Sequence, residues 1–448
     1  MSTAVDQPRN EAPYTLDQPA PRVLSFWDQS AFWANLGVSL LAFSGAVTVL
    51  APDAHGMPQM PIMAGIVAMI VGTVIGGIML GLAAVPGVRA GVPAMMLLRG
   101  LFGTRLSYVP TVLNILQMIG WGTFELITIA DAAEQLFGGG PHWVYVVIAG
   151  VITTVLTIWP LGSVRVLRRY VTTAVVIALV YFYIQFTRQP LPNLTHGSWS
   201  HFWIGADAAL AVSISWVPMA ADYTRHSRSE RAAFGAASVA YGVTQIVAYV
   251  LGLLALALVT GHSVFGPFQH VALGTLFFAV FVLREADQSF ANVYSTAMSI
   301  QNLAPRVDRR VLTVGLGVLI MVMALALDMN SYNDFLLIIG SVFVPMLGVL
   351  AVDFFCFGGR RGWDISEHAP ARWSMIVAWA AGIVTYQLIN PGNLGWWSRL
   401  WTNAQSALHF TPSSWMSASL LSFVVAAVVT AAIGVLTRTG SPATEDVR

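Results

Sequence analysis

The stretch VALGTLFFAVFVLREADQSFANVYSTAMSIQN, residues 271–302, opens as a long apolar run and then packs Arg284, Glu285, Asp287, Gln288 and Ser289 together. Counted inward from Val271 as a helix rising 1.5 Å per residue, that cluster begins about 20 Å deep. Ionisable residues inside a membrane are expensive and mark function. The stretch therefore reads as a membrane helix with a polar centre, and the rest of the chain can be tested against that reading.

Of 448 residues, 56% are hydrophobic and 10% charged, with a mean hydropathy of +0.70. Soluble domains carry about 25% charged residues. A net charge of +1 points to no nucleic-acid partner, and the one cysteine, Cys356, excludes an internal disulfide. All 22 basic residues are arginine, which excludes P-loop and Schiff-base chemistry. No histidine falls within a span, so a histidine proton relay is not expected. Without metal-ligand clusters or a sizeable soluble domain, an enzyme is disfavoured.

A membrane helix needs roughly 20 mostly apolar residues. That rule predicts an all-α integral membrane protein with spans near 30–51, 61–85, 108–133, 143–161, 170–187, 204–222, 234–260, 271–302, 311–328, 333–356, 373–390 and 415–437. With both termini in the cytoplasm, 19 of the 22 arginines fall in inner segments, as the positive-inside bias requires. Tryptophans 143, 199, 203, 396, 397, 401 and 415 cluster in the outer segments as an aromatic belt. Residues 1–28 read as a disordered cytoplasmic tail without signal-peptide order, 29–357 as a ten-helix core, 358–437 as two further helices and 438–448 as a second tail.

Four spans are irregular. The third, LSYVPTVLNILQMIGWGTFELITIAD (106–131), places Trp121 and Glu125 one turn apart on one face, Trp121 about 18 Å deep from Val109. The first, AFWANLGVSLLAFSGAV (31–47), carries Asn35, Gly37 and Ser39 mid-span; the sixth, ALAVSISWVPMAADYTRH (209–226), carries Ser213, Ser215, Trp216 and Pro218. Glycine weakens a helix and proline removes a donor, so both are expected to unwind and free helix ends for ligands. With the eighth span, these meet at one depth and fit an inverted repeat of spans 1–5 and 6–10. Each feature also has a plain structural reading. Arg284 with Glu285 or Asp287 reads equally as a neutralised pair, and Asn35, Gly37 and Ser39 as close helix packing. Asp222 with Arg225 reads as a gate or structural ion pair, and Asp131, Asp207 and Asp353 as solvated or paired.

The segments FWANLGVSL (32–40), LQMIGW (116–121), VPMAADYTRH (217–226) and READQSFANVYSTAMSIQN (284–302) resemble nucleobase–cation symporter family 1, above all bacterial cytosine permeases and related hydroxymethylpyrimidine transporters. The resemblance covers about residues 22–437. It implies a LeuT-like fold, a 5+5 inverted repeat plus two C-terminal helices. It also implies a secondary active transporter that imports a nucleobase by alternating access, coupled to Na⁺ or H⁺. A same-fold transporter of hydroxymethylpyrimidine, allantoin or a hydantoin is the alternative. The location implied is the plasma membrane, with a heterocyclic substrate and the lipid bilayer as partners, no cofactor beyond the ion, and a monomer sufficient.

Carried onto this chain, the family pattern makes Trp121 a stacking face, Glu125 an acceptor for ring N–H groups, Ser39 a first-helix contact beside Gly37, and Asn292 a reader of an amide edge. Asn35 and Val38 would offer carbonyls to the cation. The chain departs from the pattern twice. The usual sixth-helix aromatic position falls on Ser213, with Trp216 three residues on; the eighth-helix cation position holds Asp287 and Gln288 rather than two hydroxyl residues.

Overall fold

The computed structural model describes residues 20–52, 57–258, 265–329 and 332–439, without the side chains of residues 160–170, 286–287, 360–361 and 438–439. Its described residues form helices and one isolated bridge, Leu24 to Ser227. The first expected span is three short helices, α1 (Phe26–Leu36), α2 (Leu40–Ser44) and α3 (Ala46–Val49). Then come α4 (Ile62–Ala90), α5 (Ala94–Phe102), α6 (Tyr108–Phe137), α7 (His142–Ile158) and α8 (Pro160–Thr187). The sixth span divides into α9 (Phe202–Ile214), a 3₁₀ turn (Val217–Met219) and α10 (Ala220–Thr224). The seventh runs as α11 (Glu230–Gly235), a π turn (Ala236–Ala240) and α12 (Tyr241–Ala257). After α13 (Gly266–Gln269) follow α14 (Gly274–Leu303), α15 (Arg309–Ala326), α16 (Tyr332–Cys356), α17 (Gly359–Gly362), α18 (Trp373–Ile389), α19 (Gly395–Ala407) and α20 (Ala418–Thr439).

Each expected span coincides with a helix or a broken helix. Seven described segments are long and apolar enough to cross a membrane, and three shorter apolar helices accompany them. The remaining two are the broken first span and α14, whose charged centre lowers its hydropathy. Exposed apolar residues recur at helical spacing, Ile148, Ile152 and Val155 on α7 and Val311, Val314, Val318 and Val322 on α15. Apolar surface on that scale needs a lipid environment or a partner.

Several boundaries move. The tail was expected to reach residue 28, but α1 starts at Phe26, where Ser25 and Asp28 cap each other's backbone amides in a capping box. The fifth helix begins at Pro160, so its inner end absorbs a stretch expected as loop. Hydropathy also passed over α5 and α19. α19 buries no residue, and its Trp396, Trp397 and Trp401 meet edge to face.

Small residues set the spacing around the site. A Cβ on Gly76 of α4 would lie 2.6 Å from Ser213 Cβ, and one on Gly72 would lie 2.1 Å from the Ala206 carbonyl. α4 and α9 therefore pack backbone to backbone, as small residues allow in membrane helices. This pins α9, and with it the break that follows.

Candidate functional site

α1 ends at Leu36, and α2 begins after Ser39 in extended geometry, its Oγ accepting the Leu41 N–H at 3.0 Å. Gly37 sits in the gap against α12; a Cβ there would lie 2.1 Å from Thr244 Oγ1 and 2.6 Å from the Tyr241 carbonyl. Two neighbours on α14 hold this break. Glu285 accepts from Ser39 Oγ at 2.5 Å and from the Leu40 N–H at 2.9 Å, so its carboxylate caps α2. Arg284 donates from Nη1 to Glu285 at 3.0 Å and from Nε to Asn35 Oδ1 at 3.1 Å. The same Nη1 donates to Gln288 Oε1.

From there the chain of hydrogen bonds reaches α6. The Gln288 amide donates to Glu125 Oε1 at 3.4 Å, and the Asn292 amide to Glu125 Oε2 at 2.8 Å. Arg284, Glu285, Glu125, Gln288 and Asn292 are all buried. One network thus joins Asn35 and Ser39, the eighth-span residues Arg284, Glu285, Gln288 and Asn292, and Glu125. Val38 is buried, and its N–H donates to the Asn35 carbonyl at 3.3 Å. The side chain of Asp287 lies outside the described residues.

The sixth-span break is neutral by comparison. Its exposed carbonyl at Ser215 accepts from Gln117 Nε2 at 3.0 Å, and Gln117 also donates to Asn114 at 3.1 Å. Pro218 lies in the 3₁₀ turn, where its missing N–H does least harm. Ser213, the position matching the family's aromatic, is fully buried and donates to Gln245 at 2.9 Å. It faces α4 and α12 and does not line the cavity, because the Gly76 contact draws it toward α4. Trp216 does line the cavity, its ring edge-on to Tyr241 at 6.3 Å.

Between the two breaks lies a narrow cavity of about 30 Å³, room for only a water or two in this conformation, so that a ligand enters as the flanking helices part. Gly37, Ser39, Trp121, Glu125, Ser215, Trp216, Gln288 and Asn292 line it. Trp121 is held edge to face by Tyr332 at 5.9 Å and Phe335 at 5.3 Å. Its indole N–H is buried without a hydrogen-bond partner among the described residues, an uncommon state that a ligand acceptor would relieve. The sequence reading missed Tyr241, Gln245 and Tyr249, which also line the cavity. They recur every four residues on α12, so they share one helix face, and that polar-aromatic stripe was the available signal.

At the inner end, Asp222 and Arg225 do not pair with each other's side chains, contrary to the ion pair expected. Asp222 accepts from the Ala94 N–H at 2.8 Å and so caps α5. Arg225 reaches α14 instead, donating to Tyr294 Oη at 3.2 Å, and back to the Asp222 carbonyl at 3.3 Å. The segment before α1 closes over this point: the Leu24 N–H donates to the His226 carbonyl at 2.9 Å, and the Arg228 N–H to the Leu24 carbonyl at 3.0 Å. His226 Nδ1 lies 2.9 Å from the Pro21 carbonyl, which requires a proton on that nitrogen. Burial pushes the His226 imidazole down to about 3, with the Arg225 guanidinium adding to the shift. Elsewhere Asp207 caps α20 through Ser417 at 2.6 Å and the Ala418 N–H at 2.8 Å, and Asp353 pairs with Arg372 at 2.7 Å. Asp131 stays half exposed beside His142 at 3.5 Å.

Known proteins share this fold. No curated protein sequence matches the chain. Among solved structures, Mhp1, a nucleobase-cation-symport-1 family transporter in a closed conformation with bromovinylhydantoin bound, superposes with a TM-score of 0.73 at 17% identity, covering 96% of this chain and 94% of that one. Its inward-facing conformation gives 0.67 at 16% identity, covering 98% and 96%. A Na⁺-coupled sialic acid symporter gives 0.59 at 12% identity, covering 93% and 90%. At these identities the likeness establishes the fold, that of LeuT-like transporters. A model of permeases for cytosine/purines, uracil, thiamine and allantoin matches residues 21–385. The chain therefore belongs to that permease family, and it is a membrane transporter rather than an enzyme.

Proposed function

We propose that the protein imports a nucleobase, cytosine or a similar pyrimidine, by secondary active transport across the plasma membrane, with both termini cytoplasmic and a monomer sufficient. The observation that carries this reading is the cavity itself: two indoles, Trp121 and Trp216, and a carboxylate–amide pair, Glu125 with Asn292, line one buried space between two broken helices. A planar heterocycle stacks on the indoles, roughly 1–3 kcal/mol per base. Glu125 accepts its N–H groups, and the Asn292 amide meets an edge with both donor and acceptor. Rocking of one helix group against the other then exposes the site to each side in turn. The driving ion, Na⁺ or H⁺, favours whichever state it binds more tightly.

Radiolabelled cytosine uptake into a permease-deficient host tests this. Wild-type uptake should exceed the empty host, and Trp121→Ala should lower it more than tenfold; uptake unaffected by Trp121→Ala would sink the assigned site. A second reading is a hydantoin or allantoin, since a structural relative holds bromovinylhydantoin and the family description includes allantoin. Competition by unlabelled cytosine, uracil, allantoin and a hydantoin against one label separates the two.

A further inference from the structure

The junction of the first and eighth spans is where the resemblance calls for a coupling cation, and its residues can be tested against one. A hard monovalent cation needs several oxygens converging on a point with no competing positive charge. Here the Asn35 and Gln288 side-chain oxygens both face the Arg284 guanidinium, Asn35 at 3.1 Å. The Asn35 carbonyl accepts the Val38 N–H at 3.3 Å. Glu285, the carboxylate described at this junction, is committed to Arg284 at 3.0 Å and to capping α2. Of the four residues expected to hold a cation, two therefore present their oxygens to a fixed positive charge, and a Na⁺ placed among them would be repelled by it. The described side-chain oxygens at this junction, those of Asn35, Gln288 and Glu285, do not fit a metal.

The guanidinium nevertheless makes the connection a metal would make. It sits on α14 and reaches the broken end of α1, and through Glu285 it holds the start of α2. We propose that Arg284 is a tethered cation standing in the metal's place at this junction, so that transport by this protein is independent of Na⁺. A charge fixed to the chain cannot be supplied by an ion gradient, so the link between first and eighth spans is permanent rather than conditional on bound metal. This rests on the transporter reading above and sharpens its coupling ion.

One measurement needs no substrate. Purified wild-type protein is assayed for saturable ²²Na⁺ binding, and its thermal unfolding is compared in NaCl and choline chloride. The expected result is no saturable binding and the same midpoint in both salts. In proteoliposomes at fixed pH and membrane potential, replacing Na⁺ with choline should change uptake less than twofold. Saturable ²²Na⁺ binding, or tenfold or greater stimulation of uptake by Na⁺, overturns the proposal. If no heterocycle is transported, the substrate reading fails while ²²Na⁺ binding still decides this one. Arg284→Gln releases the Asn35 and Gln288 oxygens, and the variant is expected to be stabilised by Na⁺ where the wild type is not. A monodisperse Arg284→Gln protein indifferent to Na⁺ would overturn the stand-in role. If that variant does not fold, ²²Na⁺ binding to the wild-type protein decides between the two outcomes.

Discussion

The two broken helices solve the same problem by opposite means. Both interrupt a span and expose backbone groups to the cavity. The first-span break is secured by charge: Glu285 caps α2 and Arg284 ties the end of α1. The sixth-span break is secured by neutral amides and hydroxyls, Gln117 on the Ser215 carbonyl and Ser213 on Gln245. A buried ion pair holds geometry strictly because losing one partner strands the other's charge. A neutral hydrogen bond is worth about 1 kcal/mol and breaks at little cost. The first break is thus the rigid half of the site and the sixth the compliant half.

The largest effect should separate those halves. Glu285→Ala leaves Arg284 without its carboxylate in a buried site and should destabilise the protein by about 3–5 kcal/mol, whereas Gln117→Ala should cost about 1 kcal/mol. Thermal unfolding in detergent measures both, and equal losses would erase the distinction. The next contrast lies within the sixth break. Trp216→Ala should raise the KM for a transported heterocycle roughly tenfold, equivalent to about 1.4 kcal/mol of stacking. Ser213→Ala should leave KM unchanged, since its hydroxyl faces Gln245 rather than the cavity.

A smaller effect concerns the inner seal beyond α10. His226 is neutral when docked, its pKa lowered to about 3 from 6.5, while an undocked imidazole takes up a proton below about 6.5. The open state then binds more protons, so docking weakens as pH falls from 6.5 toward 3, by up to about 1.4 kcal/mol per unit. Protection factors at the Leu24 and Arg228 amides, measured against the intrinsic exchange rate at each pH, should fall over that window, and His226→Gln should abolish that fall. Protection factors unchanged by pH would mean that the seal does not depend on this ring.

Much of the architecture was legible because its causes are local. Hydropathy over about 20 residues places helices, and the glycine and proline in spans 1 and 6 foretold where they break. The depth of Trp121, Glu125 and the polar centre of the eighth span foretold that Gln288 would meet the first two. α5 was missed because it is too short for a span. The tail boundary was placed late because a two-residue capping box, rather than composition, starts α1. Tyr241, Gln245 and Tyr249 were overlooked because a polar stripe on an apolar helix is a weak signal until a cavity lies beside it.

By itself the sequence determined a helical membrane protein, the positions of its two breaks and the set of polar residues at their level. Each follows from the transfer cost of side chains and backbone into hydrocarbon, which neighbours along the chain decide. Only the tertiary structure decided who partners whom. Ser39 and Glu285 stand 246 residues apart yet meet at 2.5 Å, Asp222 caps α5 instead of pairing with Arg225, and Trp216 rather than Ser213 reaches the cavity. Those choices depend on how α4, α6, α12 and α14 pack around the breaks, and on which donor lies nearest once water is gone.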